Sequence, residues 1–144
     1  MKFLRSILML FAAAAVSACA SGPNYSEVAS AQAPVASDKG RVFFYRTQVI
    51  GAAVQPTIFV NGTGTGTCQP GGVYYVDLDP GKHTANVETE VERKLEFVLE
   101  AGEEKYVRCY ISIGILVGRG NLELVGASTA KGEIADLSFT GGIS

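Results

Sequence analysis

The chain has 144 residues, with 12 Lys plus Arg, 14 Asp plus Glu, one His and no Trp, for a net charge of −2. Hydrophobic types make up 47% and charged types 18%, an ordinary globular mixture that excludes a disordered chain. The acidic balance, with no Lys/Arg run longer than two residues, excludes a strongly basic nucleic-acid binder.

Residues 1–18 read as an address. Lys2 and Arg5 give a positive start, 7–16 is an apolar run, and the small residues Ser17 and Ala18 precede Cys19. Basic, apolar, small is the order of a secretory signal. The run is shorter than the about 20 residues of a membrane-spanning helix. Val16-Ser17-Ala18-Cys19 resembles a bacterial lipobox, in which the cysteine is lipidated and becomes the first mature residue. The plainer alternative is an ordinary cleaved signal with a chance cysteine. Each buried CH₂ of an acyl chain gains about 0.8 kcal/mol, and stable anchoring takes two chains or more. Ala20, rather than Asp, after the cysteine favours the outer membrane by resemblance to sorted lipoproteins. The expected partner is thus the membrane, through acyl chains on Cys19, at the periplasmic face of the outer membrane.

Residues 19–39 are rich in Ala, Ser and Pro with no apolar period, and are expected to be the lipidated Cys plus a flexible tether with a reach near ~25 Å. Residues 40–126 read as a strand-built body. Arg41-Val42-Phe43-Phe44-Tyr45-Arg46 is aromatic and β-branched. Thr57-Ile58-Phe59-Val60 is a second strand, Asn61-Gly62 a strong hairpin turn, and 63–68 a short return. Residues 73–78 follow, then the turn at Pro80-Gly81, then 84–90. Leu95, Phe97 and Leu99 alternate with Glu96, Val98 and Glu100, a half-buried strand. Residues 105–113 and 121–125 complete the set. Short strands separated by turn signals, without helical crossovers, predict an all-β fold, an antiparallel β-sandwich or a small barrel, the sandwich being the expectation. Residues 127–144 are expected to be a tail, with a short helix at 128–137 capped by Ser128 and frayed residues from 139 onward.

Cys68 and Cys109 form an even pair in an exported chain, where disulfides persist. A bridge and two buried free thiols on strands that never meet are both open. His83, with only Asp77 and Asp79 nearby, is too little for a metal site; no metal, cofactor or catalytic set is expected. Glu88, Glu90 and Glu92 recur at period two, and the expectation is a solvated sheet face facing Arg93, Lys94 or Arg108. Tyr74, Tyr75, Tyr106 and Tyr110 are the candidate ligand-facing residues. Tyr74 and Tyr75 must face opposite sides of one strand, and Tyr106 and Tyr110 share a side. Exposed, they would stack on a sugar or peptide; buried, they cap the core. Two uncharged apolar stretches, 49–54 and 111–118, would form an exposed patch if they met at one end; burial of the second is the expectation.

In their order, 40–46, 56–62, 74–84 (with Leu78-Asp79-Pro80-Gly81-Lys82-His83-Thr84), 87–90, 99–108 and 122–125 resemble a bacterial lipoprotein family, domain of unknown function 2846. The resemblance implies an immunoglobulin-like or transthyretin-like sandwich and no assigned activity, so no functional residue is carried over. Cys68 and Cys109 lie outside the family's pattern. The resulting expectation is a non-enzymatic, lipid-anchored periplasmic module that binds an envelope protein. The alternative is a glycan- or peptidoglycan-binding module, and no nucleic acid is expected.

Overall fold

The computed structural model describes residues 18–144; the signal expected at 1–18 lies, Ala18 apart, outside the described residues. The strands are β1 (Gly40–Tyr45), β2 (Thr57–Val60), β3 (Thr63–Thr67), β4 (Gly72–Leu78), β5 (Gly81–Glu88), β6 (Glu92–Leu99), β7 (Glu104–Ser112), β8 (Arg119–Val125) and β9 (Ser138–Ile143). Helix α1 (Tyr25–Val28) runs into a 3₁₀ turn at Ala29–Ala31, and helix α2 (Ala127–Ile134) links β8 to β9. No helix among the described residues is long and apolar enough to cross a membrane.

Two sheets form a sandwich: one of five strands, ordered β8-β7-β1-β4-β9, and one of four, ordered β3-β2-β5-β6. The alternating apolar residues of both meet between them, Val42, Phe44, Val76 and Val107 from one side and Ile58, Val60, Val87, Phe97 and Leu99 from the other. Pairing in the four-stranded sheet is antiparallel throughout. The five-stranded sheet is mixed: β1 runs parallel to β7 and β4 parallel to β9. Parallel neighbours need a long crossover. Here β2 to β6 supply one, and α2 helps supply the other.

The outer face of the five-stranded sheet carries a second apolar layer. Phe43, Tyr45, Val73, Tyr75 and Tyr106 pack under Ala130 and Ile134 of α2, with Tyr25 and Phe139 beside them. Cover on both faces is why β1 is buried at all six positions and lacks the polar alternation of a one-sided strand.

This second layer corrects two expectations. Residues 19–39 are not a free tether. Tyr25 N–H donates to Leu137 O at 2.8 Å, Ser26 N–H to Ala135 O at 3.0 Å, and Ala20 N–H to Pro70 O at 2.9 Å. The Tyr25 ring meets Phe43 edge-on at 5.5 Å. Residues 138–143 do not fray: β9 pairs with β4 from Gly72↔Ser138 to Val76↔Ile143, and Phe139 N–H donates to Pro23 O at 2.9 Å. Helix α2 starts at Ala127 with Gly126, not Ser128, at its N-cap.

The Asn61-Gly62 turn has positive φ at both residues, 51° and 83°, as a two-residue type I′ hairpin requires. Gly66 is glycine for a different reason: a Cβ there would lie 2.5 Å from Cζ of the buried Tyr74 ring. Gly66→Ala is therefore expected to lose about 1–3 kcal/mol by overpacking, read as a lower denaturation midpoint. An unchanged midpoint would show that the ring moves aside freely.

Candidate functional site

The structure buries three of the four candidate tyrosines, so Tyr74, Tyr75 and Tyr106 take the core-capping alternative and not the ligand-facing one. Tyr74, 6% exposed, points into the inter-sheet core, stacks on Phe44 at 5.5 Å and has its hydroxyl 3.0 Å from Thr65 Oγ1. Tyr75 and Tyr106, 5% and 2% exposed, both pack against Phe43 in the outer layer. Tyr110 is only half-buried, on the outer side of β7. Burial raises the phenol pKa of Tyr74, and burial followed by the Glu104 hydrogen bond raises that of Tyr106, so both stay protonated. The two-sided cover of the sheet is the physical reason. Tyr74 and Tyr75 do face opposite ways, but both directions lead inward.

The other singled-out residues have mostly structural partners. His83 Nδ1 accepts from the Asn61 side-chain amide at 2.8 Å, and its Nε2 donates to Asp79 O at 2.7 Å, an arrangement that fits the neutral Nε2–H tautomer. The carboxylates at 88, 90 and 92 do not form one row, because β5 ends at Glu88 and β6 begins at Glu92. Arg108 faces away from them and binds Glu123 at 2.8 Å and Glu133 of α2 at 2.6 Å. Among the described residues no group of three or more His, Cys, Asp or Glu is placed to hold a metal ion.

Cys68, just after β3, and Cys109 in β7 are joined as a disulfide with Cα atoms 6.0 Å apart. The bridge ties the four-stranded sheet to the five-stranded one inside the core. Sequence alone could not supply that separation. Cys19 is the free cysteine among the described residues, and it is exposed.

Around Cys19 the molecule has its most unusual surface. β1 and β7 are parallel, so both end on the same side, and the loops that follow, 47–56 and 113–118, lie together there. Gln48 ties the first loop to the end of β7: its Nε2 donates to Ile111 O at 3.1 Å and its Oε1 accepts from Ile111 N–H at 2.8 Å. Neither loop contains a charged residue. Ile50, Ile113, Ile115 and Leu116 are 83%, 95%, 84% and 88% exposed. This corrects the expectation that the second stretch is buried; only Ile111 is. A cleft of about 410 Å³ runs between the loops, over Gly51 and Ile111.

Two charged residues behind the loops organise them. Arg46 is fully buried. Its Nε donates to Gln48 O at 2.9 Å, Nη1 to Val54 O and Cys68 O at 2.8 and 3.0 Å, and Nη2 to Ile50 O at 3.1 Å. Desolvation lowers its pKa, partly offset by the neighbouring Cys19. Glu90 accepts from the Ile115 and Leu116 N–H groups at 2.8 and 3.2 Å and lies 3.5 Å from Arg119. The residues flanking Cys19 are pinned to the same end: Gln55 Nε2 donates to Ala18 O at 2.5 Å, and Ala20 is held by Pro70.

Fold and site together define a small, disulfide-stapled β-sandwich with an uncharged aliphatic end beside an exposed cysteine. The chain belongs to the protein family of unknown function DUF2846, whose model matches residues 36–121. That match takes in β1 to β7 and ends within β8. An uncharacterized protein of Haemophilus influenzae is 29% identical over 129 residues, covering 86% of this chain and 77% of the relative.

Proposed function

We propose that the protein is a lipid-anchored envelope component, acylated at Cys19 and exported to the periplasmic face of the outer membrane, where it serves as a non-enzymatic binding or structural module. The observation that carries this reading is the division of labour among the three cysteines. Cys68 and Cys109 are spent on an inter-sheet disulfide, a bond that persists in oxidising compartments outside the cytoplasm. Cys19 is left unpaired and exposed, directly after the basic, apolar and small segments of a secretory signal. The non-enzymatic part is supported by His83, both of whose ring nitrogens are engaged in fastening a turn. A glycan partner has less support, because Tyr74 and Tyr75 offer no open ring face.

Cys19→Ala is the direct test. The expected result is an unprocessed precursor that carries no lipid and leaves the membrane fraction after alkaline extraction. Normal processing of that variant, or an unmodified thiol at residue 19 in the mass of the wild-type product, would overturn the anchor.

A further inference from the structure

The geometry points to direct seating of the domain on the bilayer, with the 47–56 and 113–118 loops entering the lipid beside the acyl chains of Cys19. The inference rests on the acylation proposed above and adds a second contact to it. A flexible tether would leave the domain's orientation free. Here Ala20, next to Cys19, is hydrogen-bonded to Pro70 O of the body, so acyl chains on Cys19 emerge at the loop end.

The chemistry of that end suits hydrocarbon. Val49, Ile50, Ile113, Ile115, Leu116 and Val117 are each more than half exposed, from 52% at Val117 to 95% at Ile113. No charged side chain interrupts either loop. The backbone is also prepared. In lipid every unpaired N–H or C=O is costly, so irregular backbone enters only where its polar groups are met from within. Arg46 takes the carbonyls of Gln48, Ile50 and Val54, Glu90 takes the N–H groups of Ile115 and Leu116, and Gln48 satisfies both backbone groups of Ile111. The same composition argues against a protein partner. Protein interfaces are enriched in Tyr, Trp and Arg, whereas these loops present only aliphatic side chains, Gly and a few uncharged polar residues.

The chain has no Trp, so a single introduced indole reports cleanly. Ile115→Trp places it on the apolar end. Val98→Trp, at a 54% exposed position near the far end of β6, is the control. Each mature protein, purified from membranes and weighed to establish the state of residue 19, is reconstituted into vesicles of brominated phosphatidylcholine. The expected result is blue-shifted, strongly quenched emission for Ile115→Trp and neither effect for Val98→Trp. Unquenched Ile115→Trp on a protein whose mass shows acylated Cys19 would overturn the seating while leaving the anchor intact. If the mass shows a bare residue 19, the anchor fails, and the unacylated variant mixed with the same vesicles decides the seating: quenching sustains it, none ends it. A blue shift without vesicles that grows with protein concentration would assign the loops to a second copy and also overturn the inference. Circular dichroism matching the parent checks that both variants fold.

Discussion

Arg41→Met is expected to cost about 3–5 kcal/mol of folding stability, the usual loss when one member of a buried ion pair is removed. Arg41 lies on β1 opposite Asp77 of β4, and the two side chains are 4% and 8% exposed. Nε and Nη2 reach the two Asp77 oxygens at 2.6 and 2.8 Å, and Nη1 donates to Ala33 O at 3.0 Å. The guanidinium also lies over the Tyr75 ring, 3.7 Å from its centroid. The Asp77 hydrogen bond is the largest influence raising the Arg41 pKa, so the guanidinium stays charged. The cost arises from the carboxylate left behind without a partner. Arg41→Met combined with Asp77→Leu should therefore recover much of the loss, since replacing a whole buried pair by apolar groups is often neutral. Urea midpoints of the two single variants and the double variant test this. A double variant as unstable as Arg41→Met alone would show that the stranded charge is not the cause.

Removing the Cys68–Cys109 bridge is the second large effect. The bridge spans 41 positions, and a loop of that length corresponds to about 4 kcal/mol in the chain-entropy account. Domains of this size are stable by only ~5–15 kcal/mol, so reduction should bring the sandwich close to its unfolding threshold at 37 °C. The measurement compares denaturant midpoints of the oxidised protein, the reduced protein and a Cys68→Ala/Cys109→Ala variant. The last two should agree with each other and fall well below the first. Equal midpoints for all three would mean that the sheets need no covalent tie.

Eight of the nine strands are legible in the sequence, written either as aromatic and β-branched runs or as period-two alternation between turn residues. The ninth is not. Ser138-Phe139-Thr140-Gly141-Gly142-Ile143 reads as a glycine-weakened tail, yet Gly142 is what lets β9 pass the Tyr75 ring, which a Cβ would strike. The glycines that argue against a strand in isolation permit this one in context. The outer layer is hidden for a related reason. Residues 20–33 have too few apolar residues to announce packing, and Tyr25 does much of it alone, wedged against Phe43 and Phe139. The unbroken apolar run from Val42 to Tyr45 did carry the cue, since only a sheet covered on both faces tolerates it.

The candidate site was legible in composition but not in placement. Both uncharged stretches stand out by eye, but their meeting depends on β1 and β7 running parallel, a pairing between segments more than 60 residues apart in the ladder Phe43↔Tyr106 that local pattern cannot encode. The supporting residues were hidden altogether. Arg46 looks like a strand-end solvent group, and Glu90 like one tooth of an acidic row. Nothing local shows that one is buried among carbonyls or that the other turns back to hold the 113–118 loop.

The embrace of β9 by residues 23–25 has a bearing on how the chain matures. The earliest described segment completes its contacts only when residues 137–139 are present, so the outer layer cannot close before β9 is made. Deleting residues 138–143 would therefore loosen residues 23–25 as well.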